Sequence, residues 1–352
     1  MDESPGWDAI DDALRPLYGD AEPYHIGTVI KWALGGPDPL DGVSVYPRTE
    51  PVPHWHFVSY GMSELYSKES ENPDESGWGF EFTFRLVRDP AAETPPVWAV
   101  NLLQNLARYV FTSGNWFEPG HHMNVNGPIE AEREDSEIRA VAFVRDPELG
   151  EISTPHGRVE FLQVVGLATE EYEAVRQWNA AAFLDALAPH LPLFVTDVGR
   201  RSLLADPELA RTVREGIERD GSNSGLLFVS TVDWDLDGGP GGAGTVTLRL
   251  GALQAPAIAQ ALRGRLPFDR PLVLQSEDRV LTFHPADAFS VEETDEGNLD
   301  VGVPSAALDD LTAAMRPTAG TADVPSLPGL TVGIVPTALR DGYGEKTGEV
   351  VG

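Results

Sequence analysis

The sequence contains no cysteine, which excludes disulfides, thiolate catalysis and cysteine-ligated zinc. Lysine is almost as scarce: Lys31, Lys68 and Lys346 are all there is, so arginine carries nearly all the positive charge. Positive charge of either kind is in deficit. The chain has 25 Lys plus Arg against 56 Asp plus Glu, a formal charge of −31. A nucleic-acid binder needs a basic stripe to neutralise phosphates, and an anionic lipid surface makes the same demand, so neither is expected as a partner. No uncharged apolar run reaches the ~18 residues of a spanning helix. The acidic start MDESPGWDAIDDAL lacks the basic and apolar segments of a secretory signal. A cytoplasmic location is expected. What the chain does have is length and apolar content. Its 352 residues, 41% of them hydrophobic, suffice for about two or three domains with real cores. Arginine in place of lysine fits a GC-rich bacterial coding bias, and a salt-adapted surface fits it equally.

Periodicity predicts a mixture of helices and strands. Residues 7–18 and 97–112 have helical spacing, the latter after Pro95-Pro96 and before Gly114. Residues 169–187 and 206–219 are also predicted as helices, the second with Asp206 as N-cap and Pro207 at the first helical position. Strands are predicted at 24–34, 43–46, 55–60, 78–87, 138–144, 159–166 and 225–233. Phe80, Phe82, Phe84 and Leu86 alternate through the fourth of these. Beyond DLDGGPGGAG (235–244), strands are predicted at 245–250, 272–275, 280–284, 299–303 and 330–335, with helices at 256–263 and 305–315. The tail after residue 340 is expected to fray. The elements do not alternate regularly, so the fold class is α+β. The boundaries place an N-terminal α+β domain at 1–234, a Gly-rich linker at 235–244, a C-terminal α+β domain at 245–340 and a flexible tail at 341–352.

Several residue groups invite a chemical reading. His54 and His56 flank Trp55, share one face of a strand, and with His121 or His122 could supply metal ligands. Against this, no HExxH is present, and polar strand-edge hydrogen bonding accounts for the same residues. Asp233, Asp235, Asp237 and Gly238 match the first half of an EF-hand loop. The twelfth position is Gly244, where a bidentate Glu is required, so a linker is preferred. GMSEL (61–65) is not G-x-S-x-G, though folding could still bring Ser63 to His56. Glu64, Glu69, Glu71, Asp74 and Glu75 suit a solvated acidic loop better than a carboxylate-pair hydrolase. Residues 277–310 carry ten acids against Arg279. Solubility explains that run, and so does a docking surface for a basic partner.

Longer motifs carry a resemblance. GGPDPLDGVSVY (35–46), HWHFVSYGMSELY (54–66), SGWGFEFTFRL (76–86) and LARYVFTSGNWF (106–117) together resemble the suppressor-of-fused family. The likeness continues through FLQVVGLATEEYEAVRQWN (161–179), ERDGSNSG (218–225) and GLTVGIVP (329–336). The resemblance implies two α+β domains, no catalysis and no cofactor. In animals the family sequesters a transcription factor of the Hedgehog pathway, clamping a peptide as an added strand between the domains. Bacterial members are described as including immunity proteins that neutralise secreted polymorphic toxins. Tyr109 matches a peptide-contacting tyrosine of the animal proteins. An acidic residue after a glycine in their next loop is replaced here by His121, after Gly120 and before His122. Trp32, Trp55, Trp78 and Phe80 lie in motifs that look architectural and are expected in the core.

Three readings follow. The first is a non-catalytic binding protein, a bacterial immunity protein that masks a basic toxin. The second is a regulator that sequesters a peptide segment of a cellular protein. The third is a histidine-based metal enzyme or hydrolase. The residues expected to contact a protein partner are Tyr109, His121, His122, Glu292, Glu293, Asp295 and Glu296. No metal or cofactor is expected, and the sequence does not fix the oligomeric state.

Overall fold

A run in which Phe80, Phe82 and Phe84 alternate with Glu81, Thr83 and Arg85 can be buried throughout only if both faces of its sheet are covered. The computed structural model, which describes residues 4–237, 245–340 and 346–352, places this run at the centre of an eight-stranded mixed sheet. Two compact units form: residues 1–173 with 180–210, and residues 174–179 with 211–352.

The first unit contains α1 (Pro5–Tyr18), β1 (Tyr24–Gly27), β2 (Gly42–Arg48), β3 (His54–Tyr60), β4 (Glu75–Val87) and α2 (Val97–Ser113). It continues with β5 (His122–Asn124), β6 (Ile138–Arg145), β7 (Glu151–Thr154), β8 (Gly157–Ala168), the start of α3 (Thr169–Gln177) and α4 (Ala180–Leu187). The strand order is β1-β2-β3-β4-β8-β6-β5, with β7 beside β8. β4 and β8 pair in parallel; the other pairs are antiparallel. Helix α2 packs Leu103, Leu106 and Val110 onto Trp55, Phe57, Phe82 and Phe84. Helix α1 covers the opposite face, with Ile10 and Leu14 against Val58, Tyr60 and Phe161. Burying a Leu or Phe side chain stabilises by about 1.5–3 kcal/mol, so these two layers hold the unit together.

The second unit contains most of α5 (Pro207–Asp220), then β9 (Leu226–Phe228), β10 (Val232–Asp237), β11 (Thr245–Gly251), α6 (Ala255–Arg265), β12 (Leu272–Gln275) and β13 (Val280–Pro285). After these come β14 (Ser290–Glu293), β15 (Leu299–Val303), α7 (Leu308–Ala314), β16 (Gly320–Asp323), β17 (Leu330–Val335), β18 (Thr337–Arg340) and β19 (Lys346–Val351). One sheet has the order β14-β15-β13-β12-β9, a second β10-β11-β17-β16, and β18 pairs with β19. Leu248, Phe283, Leu299 and Val332 meet α6 and α7 in a single core. Among the described residues, no helix is long and apolar enough to cross a membrane.

The α+β class is as expected, with local departures. The strand predicted at 24–34 ends at Gly27, and Trp32–Leu34 forms a 3-10 turn closed by Gly35 at φ 82. The helix predicted at 169–187 breaks at Trp178 and Asn179. There the Trp178 carbonyl accepts from Asn223 N–H at 2.9 Å, outside its own helix. Residues 225–233 divide between β9 and the start of β10. Of the expected linker, 235–237 complete β10, which pairs with β11, and 238–244 lie outside the described residues. The compact units divide near residue 211, upstream of that linker. At the C-terminal end, residues 346–351 pair with β18, where fraying is expected from sequence, while 341–345 lie outside the described residues.

Candidate functional site

Helix α2 ends where Gly114 adopts a left-handed φ of 74 and donates its N–H to the Val110 carbonyl. The cap turns the chain into the segment 115–121, which leads to β5. Phe117 drops from this segment into the core and stacks on Phe143 at 4.2 Å. The same ring stacks on Tyr109 at 5.5 Å. A ladder of three rings thus runs from the core to the surface, and it holds Tyr109 half-exposed on α2. Trp116 stands beside it, 55% exposed, with its indole N–H donating to Glu118 Oε1 at 3.1 Å. His121 Nδ1 accepts from the Glu118 N–H at 3.2 Å, and the His121 N–H donates back to the Glu118 carbonyl at 3.0 Å. Aromatic side chains held this way offer contact area with little rotamer entropy left to lose.

β5 lies at the edge of the sheet, paired on one side with β6. An edge strand keeps alternate backbone N–H and carbonyl groups directed away from its neighbour, and an extended segment can add to them. His122 belongs to this strand and meets the Tyr172 ring edge-on at 5.5 Å. Of the three residues, His122 lies on β5, His121 directly precedes it, and Tyr109 is tied to the segment before it through Phe117. Trp116 was not singled out, although it follows a glycine-capped helix within the GNWF sequence.

The second unit has two unlike edges on one sheet. At β14 the edge is acidic. Glu292 and Glu293 lie on the strand, Asp295 and Glu296 in the turn after it, and all four are exposed. Such charges protect an edge from indiscriminate strand pairing and attract basic segments. At β9 the edge is apolar. Leu226 is partly exposed, Phe228 is 74% exposed, and a cleft of about 490 Å³ runs beside Phe228, Ser230 and Gln275. Sequence analysis missed this edge, although four apolar residues in succession follow Gly225, and two of them, Leu226 and Phe228, stand exposed.

His54 and His56 do share one strand face, and both are fully buried. His54 Nδ1 donates to the Val52 carbonyl at 2.7 Å. Tyr18 donates its hydroxyl to His56 Nδ1 at 2.5 Å, and His56 Nε2 lies 3.5 Å from Asp146 Oδ2. Arg85 grips Asp146 through two bonds of 2.6 and 3.1 Å and reaches Glu148 at 2.9 Å, while Arg48 binds Glu148 twice. Burial, then the charge of Arg85, pushes the His56 imidazole down to about 4, so the ring is neutral at pH 7. Burial opposes ionisation of Asp146, but its contact with His56 and the charge of Arg85 outweigh it and hold the carboxyl far below the usual range. The balancing charge is Arg85, and the cluster is a buried ion network. His121 lies on the segment before β5, not with this pair. Among the described residues, no three His, Asp or Glu side chains converge on a metal position.

The other motifs resolve similarly. Ser63 does not pair with His56; its hydroxyl donates to Glu81 at 2.7 Å. Glu81, fully buried, also accepts from Ser59 Oγ and from the N–H groups of Gly61, Met62 and Ser63. Burial raises its carboxyl, and the hydrogen bonds from Ser59 and Ser63 oppose the shift. Glu64 accepts from the N–H groups of Glu69, Ser70 and Gly77 and from Lys68. Burial opposes them, yet these donors hold its carboxyl near 2. Asp233, Asp235 and Asp237 of the half EF-hand lie on strand β10, where Asp233 and Asp235 pair with Arg249 of β11, and Gly238 lies outside the described residues. Of the aromatic residues expected in the core, Trp55 and Phe80 are buried, Trp78 is half-buried, and Trp32 is 36% exposed against Phe111.

Comparison with known proteins fits this architecture. Residues 36–201 match the family model of the suppressor of fused protein. The human and mouse suppressor of fused homologs are each 40% identical to the chain over 235 residues, covering 62% of it and 48% of theirs. The chain thus spans about half the length of these relatives. A chain of the Sufu–Fu complex crystal structure is 32% identical, with a TM-score of 0.56 over 60% of this chain and 98% of that one. The crystal structure of Drosophila Suppressor of Fused shares the fold at 22% identity, with a TM-score of 0.78 over 94% of this chain and 97% of that one. With residues 36–201 matching the family model and 32% identity to a chain of the Sufu–Fu complex that is covered to 98%, the chain belongs to the suppressor-of-fused family.

Proposed function

We propose that the chain is a non-catalytic, cytoplasmic protein-binding protein that takes an extended segment of a partner onto the β5 edge. One observation carries this reading: β5 is the last strand of its sheet among the described residues, and the helix and segment that lead into it carry Tyr109 and Trp116, two exposed aromatic side chains already fixed by their neighbours. Backbone groups of the edge would supply affinity and the rings would supply selectivity. The Fu partner named for the related complex is a protein, in keeping with this chemistry. The exposed acids Glu292, Glu293, Asp295 and Glu296 favour a basic partner, and the −31 charge would speed its arrival. We further propose that the partner is a basic toxin, which the chain masks as a bacterial immunity protein.

The test is binding of the purified basic products of neighbouring genes, measured by calorimetry at several salt concentrations. Tight binding is expected, falling by roughly tenfold or more as salt screens the exposed charges. The double variant Tyr109→Ala, Trp116→Ala should weaken it by roughly 2–4 kcal/mol, the scale of aromatic hot spots. Full-strength binding by that variant sinks the β5 edge as the docking site. Binding to a regulator in place of any toxin would support the edge and overturn the immunity role.

A further inference from the structure

A cavity of about 360 Å³ opens between α1 and strands β1 and β2, lined among others by Trp7, Asp11, Tyr18, His25, Ser44 and Tyr46. Its aromatic walls are fixed from behind. Trp7 stacks on Tyr60 at 4.3 Å, and Tyr18 stacks on Tyr46 at 3.8 Å with the rings 11° from parallel. Tyr46 is 6% exposed, borders the cavity, and its hydroxyl has no hydrogen-bond partner among the described residues. The hydroxyl itself is reached by solvent in the cavity, so it can exchange a water for a ligand atom.

The electrostatics choose the sign of the ligand. Asp11 Oδ1 accepts from the Tyr60 hydroxyl at 2.8 Å. Burial raises the Asp11 carboxyl above its usual range against the hydrogen bond from Tyr60, Asp8 and Asp12 push the same way as burial, and the residue stays exposed at the cavity mouth. Asp20 and Glu22 add acid to the lining. Among the described lining residues, Arg15 is the one strong cation, and it is bound to Asp12 at 2.8 Å in solvent. His25 shares its Nδ1 with Ser44 Oγ at 3.1 Å, and burial lowers its imidazole, so it stays neutral near pH 7. Electron-rich ring faces and a carboxylate are complementary to a cation with an alkyl stem. An anion would meet the Asp11 carboxylate, and a wholly apolar guest would displace water from Asp11 and from the Tyr46 hydroxyl without replacing its hydrogen bonds.

We propose that this cavity binds a small organic cation, an alkylammonium or alkylguanidinium. Its charged head contacts Asp11 and the Tyr46 hydroxyl, and its stem lies against Trp7 and Tyr18. The cation is either a free molecule or a lysine or arginine side chain of a protein. None of these residues belongs to the β5 edge, so the proposal stands apart from the partner-binding reading.

Calorimetry with 1,4-diaminobutane and 4-aminobutylguanidine tests the free form, and N-acetylarginine amide tests the side-chain form. n-Butanol and butyrate are the neutral and anionic controls. Saturable binding of at least one cation is expected, with none for the controls. Asp11→Asn, which keeps an acceptor for Tyr60, should weaken it by roughly tenfold, and Tyr46→Phe by roughly threefold or more. In the unaltered protein, amide and indole NMR shifts should move at Trp7, His25 and Ser44, a readout that does not depend on any variant folding. Tighter binding of the diamine than of the amide assigns the free form, and the reverse order assigns the side chain. The proposal is overturned if no cation saturates by about 10 mM, a binding free energy of roughly −3 kcal/mol. It is also overturned if butanol binds equally well, if the shifts map elsewhere, or if Asp11→Asn leaves affinity unchanged.

Discussion

Acid should weaken the first unit through His56, and by an amount that can be worked out. The ring is fully buried beside Arg85 and titrates at about 4, against an ordinary value of 6.5. Above pH 6.5 it is neutral in both folded and unfolded chains and contributes no pH dependence. As pH falls below 6.5 the unfolded chain takes up a proton that the folded chain refuses until about pH 4, so stability is lost across that window. A fall of about 2.5 units at 1.36 kcal/mol each gives about 3 kcal/mol in full, of which about 2 kcal/mol appears between pH 8 and pH 5. His25 and His54 are lowered by burial as well and act in the same direction, so the His56 share must be taken by difference. The comparison is with His56→Gln, whose amide does not titrate but can still accept from Tyr18. Urea unfolding followed at the backbone amide signals of β3 reports on the first unit alone. The variant should be less stable at pH 8, and the gap between the two proteins should narrow by about 2 kcal/mol by pH 5. Parallel curves would refute the reasoning. They would mean that His56 keeps an ordinary affinity for protons in the fold, whereas a gap that widens toward pH 5 would mean that it is already charged there beside Asp146.

Two further outcomes follow from packing. Glu81→Gln replaces an acceptor of five hydrogen bonds by a group that must turn an NH₂ toward donors; it should cost about 2–4 kcal/mol, and an unchanged urea midpoint would contradict the buried-carboxylate account. Gly6→Ala would place a Cβ 2.1 Å from the Glu64 carbonyl oxygen, so α1 must shift. A loss of about 1–3 kcal/mol is expected, together with weaker cation binding in the cavity that α1 lines, and both are checked by unfolding and calorimetry on the same sample.

What could be read in the sequence was what local physics decides. The alternation through Phe80, Phe82 and Phe84 and the 3.6-residue period of α2 are properties of the segments themselves, and both became those elements. β5 is three residues, His122–Asn124, with no apolar alternation, and it is a strand because β6 lies beside it. The break between α3 and α4 depends on Trp178 finding Asp220 with its indole N–H and Asn223 with its carbonyl, over 40 residues along the chain. The segment 28–34 has the β-branched and aromatic content of a strand, yet Val29 and Leu34 are left exposed around the turn at Trp32. Of the candidate site, Tyr109 and the acids near Glu292 could be named in advance from resemblance and charge. Trp116 and Phe228 could not, since their exposure is decided by which strands end up at an edge.

The five-donor clasp on Glu81 means that the GMSEL segment is not a portable module. Its shape is stored in a side chain from another strand, and its backbone amides point inward because a carboxylate stands there. Grafted onto a sheet with an apolar residue at that position, the same five letters would bury unpaired amides and reopen. The converse also holds: the acid without the segment would be a stranded charge in a core. Change at either place is therefore tolerated only when it is matched at the other, and the unit on which selection acts is the pairing of loop and strand.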